Sequence, residues 1–350
     1  MTVSQTELLN NRTVRPVHLT RMGFGGAPLG NLYRKVADED AQLALQAAYD
    51  AGIRFFDTAP QYGLGRSENR FGEAISRFGR ENIQLSTKIG RLLLDCEPHE
   101  VTPEAFVDVP QKRIVFDYTY DGVMRSYEAS RERIGVTNAD ILLVHDVCVF
   151  SQGSQEMSDA KVRELFDGGG YKALTELRDA GEIAAIGAGV NEWQVCEKLL
   201  GLGDFDGFLL AGRYTLLEQE ALDSFLPLCE QRDVGIILGG PYNSGILATG
   251  AVPGAKYNYA DAPNDILDRV RRIEAVCSAH DTPLIAAALQ FVLGHPCVKT
   301  VVPGAVSADE VTSNVALMER EIPTALWSDL RSEGLIRPDA PLPNEPANAA

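Results

Sequence analysis

Three apolar runs in this chain each end on a polar residue of a different kind, and this repetition limits the folds open to it more than any other feature. Ile53-Arg54-Phe55-Phe56 delivers Asp57, Ile83-Gln84-Leu85-Ser86-Thr87 delivers Lys88, and Ile141-Leu142-Leu143-Val144 delivers His145. Runs this short and apolar read as buried parallel strands, and Pro60 and Gly63 force a loop after the first of them. Tyr62 lies in that loop. In a parallel barrel all strands open their carboxyl ends onto one face, so Asp57, Tyr62, Lys88 and His145 can converge although they are far apart in sequence.

The rest of the chain carries the same alternation. Strand-like runs at 21–24, 183–188, 208–211, 234–238 and 298–302 join the three above. Helical patterns are predicted over 38–51, from 65–68 onward with Ser67 as cap, and over 121–134, 171–180, 192–200, 217–231, 264–279, 282–294, 308–319 and 324–334. Eight strands alternating with helices predict an α/β fold, a (β/α)₈ TIM barrel with long loops at its C-terminal face, as a single domain over 21–337. Residues 1–20 read as an N-terminal extension or a small hairpin covering the barrel's bottom. Residues 338–350, with four prolines, read as a flexible tail. The segments 89–117, 147–170 and 239–263 lack sustained periodicity; the first is expected to be a lid over the pocket. The glycine-rich stretch 23–30 suits close approach by a flat ligand, although it lacks G-x-G-x-x-G spacing.

Composition removes several alternatives. At 350 residues and 45% hydrophobic content the chain is ample for a large core. A net charge of −17 argues against nucleic-acid binding through a basic face. No apolar stretch approaches a bilayer's thickness and the N-terminus has no signal pattern, so a soluble cytoplasmic protein without membrane association is expected. The six cysteines are scattered without metal-ligand spacing and read as buried thiols; no metal site is visible. Oligomeric state is not specified.

A tyrosine hydroxyl titrates near ~10 and is a poor proton carrier at neutral pH unless a cation stabilises the phenolate. Lys88 suits that task, and Asp57 would hold its ammonium. Each residue taken singly has a plainer reading, as helix cap, loop aromatic, solvated strand end or core histidine. Their joint placement favours chemistry.

The motif Asp57-Thr58-Ala59-x-x-Tyr62-Gly63-x-Gly65-x-Ser67-Glu68 resembles the signature of the aldo-keto reductases. The resemblance implies a catalytic tetrad of Asp57, Tyr62, Lys88 and His145. It implies direct hydride transfer between substrate carbon and a nicotinamide lying across strand ends five to eight. Asn191 matches the residue that holds the carboxamide, with Val190 where a serine is usual. Gly239, before Pro241, stands where an aromatic usually stacks on the ring. Val302-Pro303-Gly304, Ser307, Glu310 and Asn314 resemble the adenosine and pyrophosphate segment. Val306 replaces a cation usual in relatives that prefer NADP, so NAD is the expected cofactor, with NADP as the alternative should Arg213 or Lys299 compensate.

Gly25 through Tyr33 and Phe116-Asp117-Tyr118-x-x-Asp121-Gly122-Val123-x-Arg125-Ser126 resemble the bacterial aldose 1-dehydrogenase branch. That branch oxidises the anomeric hydroxyl of sugars such as L-fucose and D-threo-aldoses to a lactone, with the tyrosine as base. A similar member converts pyridoxal to 4-pyridoxolactone. Tyr33, Phe116 and Trp193 are the expected pocket aromatics for a small-molecule substrate of either kind. An aldehyde reductase and a non-catalytic cofactor-sensing barrel are the remaining alternatives.

Overall fold

The computed structural model of the protein describes residues 1–343. Eight parallel strands form one sheet: β1 (Phe24–Gly25), β2 (Phe55–Asp57), β3 (Gln84–Ile89), β4 (Ile141–His145), β5 (Ala185–Val190), β6 (Gly207–Ala211), β7 (Gly235–Gly239) and β8 (Val298–Val302). Parallel bridges from Met22 to Val301 and from Gly25 to Gly304 join the first and last strands, closing a (β/α)₈ barrel.

Side-chain alternation along a strand sorts this barrel into two cores. Phe55, Ile141, Leu143, Leu209, Ile237 and Val302 belong to a cluster inside the barrel, while their neighbours Phe56, Leu142, Val144, Phe208, Leu210 and Leu238 pack into the layer beneath the helices. The inward set carries the polar strand ends. Asp57 follows inward Phe55 by two residues and His145 follows inward Leu143 by two, so both project into the barrel mouth; on β3 the same period puts Ser86 and Lys88 inward. Glycines make the room. A Cβ on Gly189 would lie 3.0 Å from the Lys88 side chain and one on Gly187 would lie 2.8 Å from Leu143.

An antiparallel hairpin, Thr6–Leu8 with His18–Thr20, closes the opposite end. Leu9, Val17 and Leu19 enter the inner cluster, and Leu9 packs against Gly207 and Gly235 at the starts of β6 and β7.

The structure departs from the sequence reading at several places. Residues 338–343 are not a flexible tail: Ala340 and Leu342 are buried, Arg331 donates to the Ala340 carbonyl at 2.9 Å, and Pro341 packs against Gly294. Residues 344–350 of that expectation lie outside the described residues. The stretch 147–170 contains the helices Val149–Gln152 and Gln155–Asp167. Ser154 caps the second by accepting from the Met157 amide, and Val162 and Leu165 bury its apolar face. Ser67 is no cap. Its buried hydroxyl donates to the Gly26 carbonyl at 2.9 Å, and Gly65 takes the N-cap position of helix Arg66–Phe78.

Candidate active site

The loop carrying Tyr62 is held by backbone contact with the glycine-rich stretch, which explains those glycines better than ligand approach does. A Cβ on Gly30 would lie 2.5 Å from the Tyr62 carbonyl carbon, and one on Gly26 would lie 2.8 Å from the Asp57 carbonyl oxygen. Gly63, at φ +66, presses on Gly30 from the other side. Tyr62 is thereby clamped to the end of β2.

Lys88 Nζ lies 2.8 and 3.0 Å from the two oxygens of Asp57 and donates to the Thr58 carbonyl at 2.9 Å, with Lys88 only 1% exposed. Ser86 Oγ donates to Asp57 at 2.6 Å. The ammonium stands 4.6 Å from the centre of the Tyr62 ring, whose edge meets the His145 ring at 6.0 Å between centroids. The tetrad residues therefore meet at one place, at the base of a cavity of about 380 Å³ lined by Tyr62, Lys88 and His145.

Electrostatics assigns these groups resting states. Burial pushes the Tyr62 phenol well above its ordinary value, and the Asp57 and Asp146 carboxylates add to this while Arg91 opposes it. The phenol therefore rests protonated beside the Lys88–Asp57 pair, and the lowering expected of a neighbouring cation is outweighed by burial and the two carboxylates. Burial, reinforced by Arg91 and Lys88, drives His145 well below the usual histidine range, so its imidazole is neutral. Tyr118 fixes the histidine's backbone by donating to the His145 carbonyl at 2.5 Å.

None of Tyr33, Phe116 and Trp193 lines the cavity. Tyr33, at φ +63, turns to solvent; Phe116 lies beneath Arg91, 5.0 Å from its guanidinium; Trp193 packs on the outer core. The aromatic lining comes instead from Phe106, Phe150 and Tyr259. The long segment after Lys88 forms the hairpin Arg91–Asp95 with Lys112–Phe116 and brings Glu104, Ala105 and Phe106 into the wall. Tyr259 follows Asn258 at the tip of the hairpin Lys256–Tyr257 with Ala260–Asp261, both tip residues having positive φ. Its hydroxyl donates to Asn191 at 3.3 Å. The tip pair Asn258-Tyr259 was the available signal, since Asn tolerates left-handed turns.

Of the residues expected at a cofactor, Asn191, just after β5, lines the cavity, and the others lie on the segments that follow β7 and β8 or at those strands' ends. Gly189, Val190, Leu209 and Ala211 line the cavity with Asn191, on β5 and β6. Gly239 ends β7, followed by buried Pro241; Tyr242 donates to Asn314 at 2.9 Å rather than entering the cavity. After Val302, Pro303 and Gly304, Ser307 caps helix Ala308–Glu319, and the Glu310 carboxylate accepts from the Val306 amide at 2.9 Å. Arg213 bonds the Asn191 carbonyl at 2.7 Å and Asn258 at 2.7 Å. Lys299 packs beside Gly235 at the far end of the barrel, so it has no reach to this mouth. Arg34, which the sequence reading overlooked, pairs with Glu310 at 3.2 Å.

Glu230, His295 and Cys297 gather ligand-type atoms within 4.8 Å of one another at that far end. His295 Nδ1 already accepts from the Cys297 amide at 3.2 Å, and burial lowers this histidine to about 4. Neutral, it carries its hydrogen on Nε2, toward Glu230 at 3.5 Å, which is the wrong tautomer for a ligand. No described helix is long and apolar enough to cross a membrane by itself.

Residues 21–333 match the aldo/keto reductase family. The chain is 42% identical over 327 residues to a pyridoxal 4-dehydrogenase of Microbacterium luteolum, covering 91% of this chain and 95% of that one. It is 37% identical over 320 residues to a D-threo-aldose 1-dehydrogenase of a Pseudomonas species, covering 90% and 94%. The fold matches an aldo-keto reductase from Bacillus halodurans in its holo form, with TM-score 0.74 at 22% identity over 95% of this chain and 97% of that one. Members of this family use NAD(P)H. With a matching model over most of its length and dehydrogenases among its relatives, the chain belongs to the aldo/keto reductase family, as an oxidoreductase acting on a CH–OH group.

Proposed function

We propose that the protein oxidises the hydroxyl of a cyclic hemiacetal, such as the anomeric hydroxyl of an aldose, to a lactone, with NAD as hydride acceptor and Tyr62 as general base. The observation that carries the reading is the meeting of Tyr62, neutral His145 and the Lys88–Asp57 pair at the base of one cavity. A bound oxidised nicotinamide would supply the hydride acceptor and a positive charge that would favour the Tyr62 phenolate. Tyr62 takes the hydroxyl proton as the C–H bond breaks and the C=O bond forms. His145, neutral, donates a hydrogen bond to the same substrate oxygen and orients it. Asp57 and Ser86 hold Lys88 beside the phenol.

Asn191, Gly239, Pro241, Pro303, Gly304, Ser307 and Asn314 would hold the dinucleotide, with Tyr259 the aromatic nearest the ring. NAD is preferred because Val306 supplies no cation and the Glu310 carboxylate opposes a 2′-phosphate. Arg34 is the cation to watch. A pyridoxal hemiacetal is the second reading, favoured by the 42% identical relative and by Phe106, Phe150 and Tyr259 in the wall.

Initial rates of NAD and NADP reduction with L-fucose, D-arabinose, L-galactose and pyridoxal test both. Aldose turnover with NAD supports the first reading, and turnover of pyridoxal alone replaces it with the second. Oxidation of NADPH by simple aldehydes, with no oxidation substrate turned over, sinks both.

A further inference from the structure

Beside the tetrad the cavity wall holds a second set of charges that the hydride transfer does not require. Arg91, three residues beyond Lys88, is 4% exposed and donates from one terminal nitrogen to Asp146 at 2.6 Å and from the other to Glu104 at 2.8 Å. Asp146, next after His145, is 5% exposed and lies at φ +56, held there by its amide on the Gly189 carbonyl at 3.0 Å and by Gln152 on its own carbonyl at 2.8 Å. Glu104 in turn accepts from Gln61, the neighbour of Tyr62. A chain of polar contacts thus runs from the tyrosine loop to the histidine strand along one side of the pocket.

We propose that Arg91 and Asp146 form a subsite for the ring hydroxyl adjacent to the reacting carbon, so that the pocket selects cyclic hemiacetals that carry a hydroxyl there over those that carry only hydrogen. The proposal rests on the hemiacetal-oxidation reading above. A buried ion pair of this kind is at best neutral for stability beside a well-packed apolar wall, and Asp146 adds a left-handed backbone. Its placement is therefore better explained by recognition than by folding.

The bonding capacity left over has the shape of a hydroxyl group. A guanidinium offers five N–H donors, and the described partners of Arg91 use one on each terminal nitrogen, which leaves the second hydrogen of each; Nε, also without a partner, is buried away from the cavity. Asp146 spends Oδ2 on Arg91, with His145 Nε2 3.4 Å from the same atom. Its Oδ1 makes no hydrogen bond within the described residues, and Asp146, like Arg91, lines the cavity. A hydroxyl donates to Asp146 and accepts from Arg91 at once. A bare C–H edge at that position does neither and leaves both charges desolvated.

The test compares D-arabinose with 2-deoxy-D-ribose, which lacks only the hydroxyl next to the anomeric carbon, in the wild type, Asp146→Asn and Arg91→Lys. Asp146→Asn keeps size and tolerates the left-handed backbone, and Arg91→Lys keeps the charge. The wild type is expected to favour D-arabinose by roughly 10- to 100-fold in kcat/KM, and both variants to bring that ratio within about 3-fold, mainly through KM. Calorimetric titration of each sugar into the protein with NADH provides a reading that does not depend on turnover. A ratio that persists in both variants overturns the subsite. So does a wild type that turns over pyridoxal but neither turns over nor binds either sugar, in which case hemiacetal oxidation stands. A binding preference for D-arabinose that Asp146→Asn abolishes, in a protein that oxidises nothing, supports the subsite and sinks the proposed function.

Discussion

At the N-terminal end of the barrel Leu9, Val17 and Leu19 fill the interior with hydrocarbon, whereas at the C-terminal end Asp57, Lys88, Arg91, His145 and Asp146 occupy the corresponding layer, each nearly as buried. The apolar end gains from every carbon removed from water. The charged end must match each desolvated group with a partner, and its leftover capacity opens into the cavity. One end holds the barrel together. The other uses that stability to keep charges where water would otherwise screen them.

Four perturbations break or sharpen this contrast. Tyr62→Phe removes only a hydroxyl from the charged end and is expected to lower kcat by roughly 10²- to 10⁴-fold while leaving the thermal midpoint in place; a rate near wild type would remove Tyr62 from the chemistry. Lys88→Met strands the Asp57 carboxylate with Ser86 alone. It should cost about 3–5 kcal/mol in urea denaturation as well as activity, so charge removal and hydroxyl removal at the same site separate. Leu9→Ala, at the other end, should cost about 2–5 kcal/mol with kcat per folded molecule preserved; loss of kcat without loss of stability would mean that the two ends are coupled.

The smallest effect is the pH profile. Tyr62 is pushed up, so the unprotonated base grows as pH rises and kcat/KM for oxidation should climb by up to about tenfold per unit above neutrality. His145 is pushed down, so it stays neutral there and contributes no limb near the ordinary histidine value of about 6.5. A limb centred at that value, lost in a His145 variant, would show that the histidine works in its charged form.

The barrel and the convergence of Asp57, Lys88 and His145 at its mouth were legible because both follow from local rules. Apolar runs closing on Asp57, Lys88 and His145 fix strand type and facing, and the two-residue period aims each polar end inward whatever surrounds it. The helices expected near 264–279 and 308–319 are found as Asn264–Ala279 and Ala308–Glu319, since their apolar periodicity is also local.

What lines the cavity was decided by tertiary structure. Tyr33, Phe116 and Trp193 sit on the right loops but face solvent, Arg91 or the outer core, because an irregular segment's side-chain directions depend on where its backbone is pinned. The hairpin of residues 91–116 is pinned by strand pairing that turns Phe106 inward, and the tip at Asn258-Tyr259 by Arg213, a contact 45 residues away in sequence. The same holds for the protonation states. Composition supplies a tyrosine, a lysine and a histidine, but the raised phenol and the lowered imidazole come from burial and from carboxylates and guanidinium that only the folded chain brings near.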